Sequence, residues 1–549
     1  MEVKTINGYD IKDETARNKL LTKLNYYIIE LSDSQEKIQN ILSDTNSKII
    51  EFTKGTYNFD NTFRLNKNTK LILNDSILNF TTPHAFYNFR GDDEFLKYDG
   101  NSNIEIIGGT INGGTIRFCH AKNIVIKNIK FNNSLAGHVL EMCSINGLYV
   151  ENCEFNGGIT DEVNGETIQI DEMLYNSFPW FDSENNPTYD GTPNTNWLIN
   201  HCKFTLNTDN QDLSFHTGIG GHYSQVGERH TNITISNNIF SNFDFAGVRL
   251  RQVDNVIVEN NKFYHGINET RNINTIELQQ TCNNVVITNN YVDGNDESTS
   301  CFIYGNTDTN NLVISNNKVY NMFTQEGLSI DNDCVIFLYG LNPIIENNIF
   351  ENFEKEFMKI QASTEKVNNV IVKNNIFSKS EFNGYLVRFA TKGTYQFINN
   401  EVDIKTLSNV IRLNSYVDKL IAKGNRINNE ITEVISANGY LGDYQDVYDI
   451  MITAYSGNTV SLTNQILNVD YNNFNTLILT CGVAGSNMNQ YQLKAFNPSG
   501  KLGASTYYLP AISSSNDGKI NFQTNSDGTV NYTTTNSDIV FRSIRLKNE

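Results

Sequence analysis

Hydrophobic and polar positions along the chain follow three successive patterns, and each pattern predicts a different element. Between Asp13 and Thr45, apolar residues recur at alternating steps of three and four, which predicts one long helix with a heptad seam. The seam residues are Leu21, Leu24, Ile28, Leu31, Gln35, Ile38 and Leu42. Such a seam must be buried, either on the body of the protein or by self-association. We favour self-association as a trimeric coiled coil.

From Lys48 to about Gly439 the helical period gives way to a repeat of short alternating strands. Each repeat ends in Asn-Asn, one further residue and then Phe or Val, and consecutive copies follow at steps of 23 to 31 residues. The copies begin at Asn237, Asn260, Asn289, Asn316, Asn347, Asn374 and Asn399. A strand repeat of this length predicts about 13 coils of a right-handed parallel β-helix. We expect the Asn residues to adopt left-handed turns and to hydrogen-bond along a stack, while Phe or Val fills one interior slot.

From Tyr440 onward the repeat stops, and ordinary alternating strands are separated by turn residues. These strands are Asp449–Thr453, Leu477–Cys481 and Ile539–Leu546. The pattern is typical of a compact antiparallel β-sandwich. The predicted fold is therefore all-β, with an attachment segment and coiled-coil helix over 1–47, a parallel β-helix over 48–439 and a sandwich over 440–549.

Composition narrows the class of protein. The chain has 549 residues, a formal net charge of −19 and 11% aromatic residues, so it is neither a disordered acidic chain nor a nucleic-acid binder. Its eight Cys are scattered without a Cys-x-x-Cys pair, and we expect reduced, buried small hydrophobes. We see no secretion signal and no apolar run long enough to cross a bilayer. We therefore expect a soluble protein that does not insert into a membrane.

Irregular steps in the repeat locate the candidate chemistry. The largest insertion, Glu172–Trp197, holds both Trp residues and three of the seven Pro. It is either a loop that packs on its own aromatic side chains or, as we favour, a sugar-stacking wall formed by Trp180, Tyr189 and Trp197. Four of the eight His cluster near this insertion, but their spacing fits no zinc pattern. We expect neither a metal nor another cofactor.

Strand alternation predicts one outward face that carries most of the charged candidates, stacked ~4.8 Å apart in consecutive coils. The outward candidates are Asp171, Asp212, His216, Arg249, Arg251 and Glu277. The two Arg fit recognition of a uronate or phosphate, and the alternative is that they pair with neighbouring carboxylates. Paired carboxylates suit glycoside hydrolysis, whereas a His or Arg base suits β-elimination. We favour hydrolysis because outward carboxylates outnumber outward bases.

Several motifs resemble known families. The run Ile6–Arg17 is similar to the start of tail proteins from phages of Gram-positive bacteria, and Phe52–Tyr57 resembles the opening of pectate-lyase-like β-helices. The resemblance implies a homotrimeric tailspike or receptor-binding protein that is assembled in the host cytoplasm. It would join tail or baseplate proteins of the virion through its N-terminus. At the host cell surface it would bind and depolymerise an exopolysaccharide, a capsule or a wall teichoic acid.

The resemblance also includes residues of the candidate site. Asn207–Asp209 and Gly247–Arg251 look like motifs of polygalacturonase-like hydrolases, with Arg251 in place of their Lys. Glu166–Asp171 followed by Gly218–His222 looks like a pairing in β-helix proteins of Gram-positive bacteria. We therefore expect catalytic roles for Glu166, Asp171, Asp212, His216 and His222, with Arg249, Arg251 and Glu277 holding substrate. The alternatives are a non-catalytic receptor-binding spike and a secreted bacterial polysaccharide lyase.

Overall fold

The chain forms two compact units, Met1–Thr307 and Asp308–Glu549, in the computed structural model. The residues that the structure describes are 5–6, 9–10, 21, 23–89, 94–158, 165–178, 188–205, 216–221, 224, 227–267, 272–295, 299–324, 334–361, 367–382, 384–405, 407, 409–413, 417–427, 433–437, 447–448, 450–452, 476–483, 489–494, 505–513, 516–524, 530–534 and 539–547.

Almost every described element of the first unit is a strand. The elements are β1 Thr5–Ile6, β2 Tyr9–Asp10, β3 Tyr26–Ile29, α1 Gln35–Leu42, β4 Lys48–Phe52, β5 Thr56–Phe59, β6 Phe63–Arg64, β7 Thr69–Phe80, β8 His84–Tyr87, β9 Ile104–Asn112, β10 Thr115–Lys127, β11 Lys130–Ser134, β12 Leu140–Glu151, β13 Glu154–Gly158, β14 Glu166–Asp171, β15 Thr195–Asn200, β16 Lys203–Thr205, β17 Thr217–Gly220, β18 His230–Ser236, β19 Ile239–Phe243, β20 Ala246–Arg251, β21 Val253–Glu259, β22 Lys262–His265, β23 Ile273–Gln279, β24 Cys282–Thr288, β25 Tyr291–Asp293 and β26 Ser300–Ser315, whose last residues belong to the second unit.

The described elements of the second unit are strands as well. They continue as β27 Lys318–Met322, β28 Ile336–Leu341, β29 Ile344–Glu346, β30 Ile349–Phe353, β31 Met358–Gln361, β32 Asn368–Lys373, β33 Ile376–Glu381, β34 Tyr385–Phe389, β35 Gly393–Ile398, β36 Glu401–Lys405, β37 Asn409–Leu413, β38 Val417–Lys423, β39 Arg426–Ile427, β40 Glu433–Ala437, β41 Val447–Tyr448, β42 Ile450–Ile452, β43 Thr476–Val483, β44 Asn489–Lys494, β45 Ser505–Ser513, β46 Asn516–Thr524, β47 Val530–Thr534 and β48 Ile539–Lys547.

Parallel pairing between every third strand makes both units β-helical. In the first unit β14, β17, β20 and β23 form one stack, β15, β18, β21 and β24 a second, and β16, β19, β22 and β25 a third. In the second unit the same rule stacks β28, β31, β34, β37 and β40. Each coil thus contributes three strands, which confirms the parallel β-helix predicted from the repeat.

The last strands pair differently. β43 lies antiparallel between β44 and β48, and β45, β46 and β47 form a separate antiparallel sheet. β42 combines both modes, because it is parallel to β39 and antiparallel to β48. Antiparallel strands were predicted for this region, and their arrangement as a sandwich stays a prediction.

The Asn-Asn pair of each repeat has two structural roles. The first Asn adopts a left-handed turn, with φ between 54° and 57° in all seven copies. The second is buried, and its backbone and side-chain N–H groups donate to the side-chain oxygen of its counterpart one coil later. Asn238, Asn261 and Asn290 form one such ladder at 2.9–3.1 Å. Both roles agree with the sequence expectation.

Aromatic and sulfur side chains complete the interior of the first unit. Phe131, Phe155, Phe204, Phe240 and Phe263 stack face to face with centroid distances of 4.5–5.1 Å. Cys202 occupies the ladder position before Asn238, and its N–H donates to Asn238 Oδ1 at 2.8 Å. Seven of the eight Cys are buried and reduced, as expected from their scattered positions, namely Cys119, Cys143, Cys153, Cys202, Cys282, Cys301 and Cys334.

The predicted helix over 13–45 is wrong within the described residues. β3 pairs in parallel with β4, and α1 begins at Gln35, after Ser34 Oγ accepts a hydrogen bond from Lys37 N as the N-cap. The run Tyr26–Ile29 is aromatic and β-branched, so it suits a strand once a sheet edge is available. Tertiary pairing therefore overrides the heptad spacing.

The heptad seam consequently does not lie on one helix. Leu24 and Leu31 are 58% exposed on either side of β3, whereas Ile38 and Leu42 of α1 are buried. α1 thus packs on the body of its own chain, which was the alternative to self-association. Among the described residues, no helix has the length and apolar character that crossing a bilayer requires.

Candidate functional site

The outward face of one strand stack in the first unit carries a row of polar residues. Strand register aligns one residue from each strand in this row. The row reads Arg117, Glu141, Gln169, Gly220, Arg249 and Glu277. Neighbouring rungs are ~4.8 Å apart, the spacing of paired strands. Their side chains are therefore close enough for acids, bases and amides from different coils to meet.

Arg249 in β20 lies between two carboxylates. Its Nη1 is 3.5 Å from Glu166 Oε1, and its Nε is 3.7 Å from Glu277 Oε2. These side chains are 9%, 0% and 5% exposed in the order Arg249, Glu166 and Glu277. The alternative that an outward Arg pairs with carboxylates is therefore confirmed for Arg249, but the pairs are buried rather than solvated. We call Glu166, Arg249, Arg251, Glu277 and Gln279 the Arg249 cluster.

A glycine makes the Arg249 contact to Glu166 possible. β17 lies between β14 and β20, and its Gly220 stands opposite Arg249. A Cβ at Gly220 would lie 2.9 Å from Arg249 Cβ and 3.2 Å from Glu166 Cγ. Any larger residue would therefore occupy the space through which the guanidinium reaches across β17.

Glu277 has the environment of a proton donor. Burial raises the pKa of its carboxyl, and the positive charge of Arg249 opposes that rise. Gln279 Nε2 donates to Glu277 Oε1 at 2.6 Å and fixes the carboxyl on the strand. A carboxyl with a raised pKa keeps its proton to higher pH, which is the property a general acid needs.

Arg251 differs from Arg249 in its partners. Its Nε donates to Ser224 Oγ at 3.2 Å and its Nη1 to Gln279 Oε1 at 3.3 Å, and both partners are neutral. Burial, followed by the neighbouring Arg249 charge, lowers the pKa of the Arg251 guanidinium. A bound anion would offset this unfavourable environment. Arg251 is therefore the member of the cluster best suited to hold an anionic group.

His216 precedes β17 and belongs to a His–Asp pair. Its Nδ1 is 2.8 Å from Asp244 Oδ1, and both side chains are about one-fifth exposed, at 20% and 22%. Thr217 stands opposite Glu166 in the neighbouring strand, so His216 lies beside the Arg249 cluster. Asp244 orients the imidazole ring through Nδ1, an arrangement in which a His can act as a base through its other ring nitrogen.

Asp171, two residues after Gln169 on β14, is not open to a groove. It is fully buried, and its Oδ2 accepts from Gln169 Nε2 at 2.9 Å. Gln169 Nε2 also donates to Ser177 O, so the start of the insertion covers both side chains. A Cβ at Gly221 would lie 2.7 Å from Asp171 Oδ1, so the backbone also closes on it from the next coil. The role of Asp171 is structural in this arrangement.

Trp197 and Phe178 of the insertion lie in the interior and not in a sugar-stacking wall. Trp197 is 2% exposed, and its Nε1 donates to Ile145 O, so it is a core residue of β15. Phe178 is buried under Arg117, whose guanidinium lies 4.3 Å from the ring centroid. The half-buried Tyr189 donates to Phe178 O at 3.0 Å. Tyr189 also packs edge to face on Tyr175 at 5.6 Å, a contact of the kind expected from a loop that packs on its own aromatic side chains, and Tyr175 is 60% exposed.

Three expected site residues lie outside the described residues, namely Trp180, Asp212 and His222. The sequence analysis assigned no role at the site to Gln279, Asp244 or Gly220. Gln279 was detectable as the next outward residue after Glu277, and Gly220 belongs to a glycine-rich run. Among the described residues no group of three or more His, Cys, Asp or Glu is placed to hold a metal ion.

Comparisons with known proteins agree with the fold. The sequence profile of the family described as "Right handed beta helix region" matches residues 193–335 and, in an overlapping match, residues 224–402. A mutant tailspike protein of E. coli bacteriophage HK620, solved with a hexasaccharide, has a TM-score of 0.51 and 14% identity. That match covers 94% of this chain and 90% of the tailspike chain. At this identity the likeness shows the fold alone, a right-handed parallel β-helix.

Two further similarities involve Streptococcus pneumoniae. Plasmin and fibronectin-binding protein A is 23% identical over 398 residues, which are 64% of this chain and 52% of that protein. The chain thus spans about half the length of the curated relative it matches. A crystal structure of the surface adhesin PfbA covers 75% of this chain and 90% of its own, with 15% identity and a TM-score of 0.42.

Proposed function

We propose that this protein is a tailspike-type receptor-binding protein that binds and hydrolyses an anionic glycopolymer of a host cell surface. The observation that carries the proposal is Arg249 held between the carboxylates of Glu166 and Glu277 on an outward strand face. Fold stability requires no charged cluster on that face. The tailspike likeness and its bound hexasaccharide support a carbohydrate as ligand.

Hydrolysis assigns a separate task to each carboxyl group. Glu277, whose pKa is raised by burial, donates its proton to the leaving glycosidic oxygen as the C–O bond breaks. Glu166 acts as the second carboxylate and either activates the incoming water or attacks the anomeric carbon. Arg249 keeps both groups in position, and Arg251 binds a uronate or phosphate of the polymer.

The His216–Asp244 pair favours a second reaction, β-elimination from a uronate. Here His216 Nε2 would take the proton next to the carboxylate while an Arg neutralises the developing charge. The bond to the leaving oxygen breaks and a carbon–carbon double bond forms, so no water is added. The masses of the products separate this reaction from hydrolysis.

The burial of Glu166 and Glu277 favours another candidate, a non-catalytic binding protein. In that case the Arg249 cluster shapes a binding face and the polymer stays intact. The relative that is named for binding plasmin and fibronectin supports a bacterial surface adhesin as the form of this candidate. Mass spectrometry of purified phage particles would place the chain in a virion, and its mass in solution would test the homotrimer implied by the resemblance.

The test is to incubate the purified protein with exopolysaccharide, capsule and wall teichoic acid fractions and to determine the masses of the products by mass spectrometry. A product with one added water indicates hydrolysis, and an unsaturated product indicates elimination. Glu277→Gln should lower kcat at least about 100-fold while binding persists. Arg251→Gln should mainly raise KM, by about tenfold.

Glu259→Gln is the matched control, because this half-buried carboxylate lies on β21 in another strand stack and should leave turnover unchanged. Selective loss in His216→Ala together with unsaturated products would replace hydrolysis by elimination. Reversible binding without products from any fraction would leave the binding protein as the function.

A further inference from the structure

A row of basic side chains lies on an outward strand face of the second unit. Strand register aligns Lys359 in β31, Arg388 in β34 and Arg412 in β37 on three consecutive coils. All three side chains are half-buried. We call Lys359, Arg388 and Arg412 the basic row. Like charges on adjacent rungs destabilise a sheet, so the fold itself gives no reason for this arrangement.

Other rungs of the same unit follow the opposite rule. Glu346 and Lys373 are register partners and form an ion pair of 2.8 Å, and Glu401 and Arg426 are register partners at 3.9 Å. Opposite charges on neighbouring strands offset each other. The basic row therefore stands out in a chain with a net charge of −19.

Aromatic rings accompany the basic row. The Arg412 guanidinium lies 4.5 Å from the centroid of Tyr385, and that of Arg388 lies 5.8 Å from the same ring. Lys359 Nζ is 5.6 Å from the centroid of Phe337. Rings hold cations without neutralising them. Arg412 makes no ion pair with a carboxylate anywhere in the part of the chain that the structure describes.

One carboxylate lies beside the row. Arg388 Nη2 donates to Glu356 Oε2 at 2.7 Å, while Glu356 Oε1 is buried and has no hydrogen-bond partner among the described residues. Burial raises the pKa of Glu356, and the charges of Arg388, Lys359 and Arg412 all oppose this rise. Three cations and the carboxylate of Glu356 thus meet on one strand face.

We propose that the basic row is a second glycan-binding site, which takes an anionic polysaccharide and is independent of the Arg249 cluster. The cations bind carboxylate, sulfate or phosphate groups along the polymer, and the Tyr385 ring offers an apolar face to a sugar. A nucleic acid fits poorly, because Glu356 and the overall negative charge repel a continuous phosphate backbone.

The experiment measures binding of the full-length protein to polygalacturonate, dextran sulfate and neutral dextran by calorimetry. The wild-type protein should bind at least one anionic polymer and not dextran. Lys359→Gln/Arg412→Gln should weaken this binding by about tenfold or more. The matched control, Lys405→Gln/Lys423→Gln, removes two exposed charges from other strands of the same unit and should bind like wild type.

Two further variants keep the result decisive. Arg412→Lys preserves the charge and should retain most of the binding, which separates loss of a site from loss of folding. The same double substitution is also made in the Arg251→Gln variant, whose Arg249 cluster is impaired. If Arg251→Gln still binds the polymer and adding Lys359→Gln/Arg412→Gln abolishes that binding, the binding belongs to the basic row. Equal weakening by both double variants, or no binding of either anionic polymer, would overturn the proposal whatever the fate of the hydrolase.

Discussion

The interior ladder and the outward row of the first unit belong to the same coils but follow opposite rules. Inside, Asn238, Asn261 and Asn290 repeat one residue on every coil, and each satisfies the next. Outside, the row through Gly220, Arg249 and Glu277 changes at every coil, and its members contact each other across strands.

The difference follows from the environment of each rung. An interior position meets the same neighbours above and below, so one residue type that pairs with itself solves the problem for all coils. An outward position on β17, β20 or β23 meets solvent, loops or ligand, so its residue type can change from coil to coil. In these coils the repeated interior residues serve stability, and the following variants test this comparison in order of expected effect.

Phe240→Ala should have the largest effect, a loss of about 4 kcal/mol in the free energy of unfolding. The ring is fully buried between Phe204 and Phe263, at 4.5 and 4.8 Å between centroids, so its removal leaves a cavity. Urea unfolding measures the change. Tyr264→Ala, a large residue that is 36% exposed on the next coil, should cost less than about 1 kcal/mol. Equal costs would contradict the assignment of the Phe stack as the core.

Asn261→Ala should lower the free energy of unfolding by about 3 kcal/mol, because it leaves buried donors and acceptors on two neighbouring coils without hydrogen-bond partners. Its Oδ1 accepts from Asn238 and its Nδ2 donates to Ile235 O and Asn290 Oδ1. Asn261→Cys should cost less, since Cys202 occupies the equivalent ladder position in the native chain. Thermal unfolding of both variants checks this ranking, and a larger loss for Asn261→Cys would contradict the assignment of Cys202 to the same ladder.

Glu277→Gln should change how stability depends on pH. Burial raises the pKa of Glu277, so the folded state holds this proton more tightly than the unfolded chain does. The stability that Glu277 contributes is present below its unfolded pKa of about 4.3 and is lost as pH rises through the folded value. The variant should therefore gain stability relative to wild type between acidic and neutral pH, as measured by urea midpoints.

Glu151→Gln provides the control of opposite sign. A hydrogen bond from Tyr149 lowers the pKa of Glu151, so its contribution is present above the unfolded pKa and is lost as pH falls. This variant should lose stability relative to wild type as pH rises. Parallel pH profiles for the two variants would contradict the environment described for Glu277.

Asn255→Gly should have the smallest effect, about 0.5 kcal/mol. Asn255 belongs to an exposed ladder with Asn232 and Asn284, and its φ is 58°. Gly adopts this conformation freely, whereas Asn255→Ala should cost about 1 kcal/mol more through left-handed strain. A loss as large as that of Asn261→Ala would show that burial does not separate the two ladders.

Local repetition explains which parts of the fold could be predicted. Strand period, interior alternation, the left-handed Asn turns and the stacked Phe residues all depend on neighbours one coil away, and the repeat displays those neighbours directly. The prediction of one N-terminal helix was wrong because the deciding contact does not belong to the repeat. The heptad spacing is present in the sequence, but β3 pairs with β4, and the spacing of apolar residues does not indicate such pairing.

For the site, the sequence by itself determined which residues stand on the outward face, and Arg249, Arg251 and Glu277 were found by alternation alone. Only the tertiary structure decided which of them meet. It placed Asp171 beneath the insertion, Trp197 in the core and Arg249 against Glu166 across the gap left by Gly220. The physical reason is that alternation fixes the direction of a side chain, whereas the path of a loop and the contacts across a missing side chain depend on residues distant in the chain.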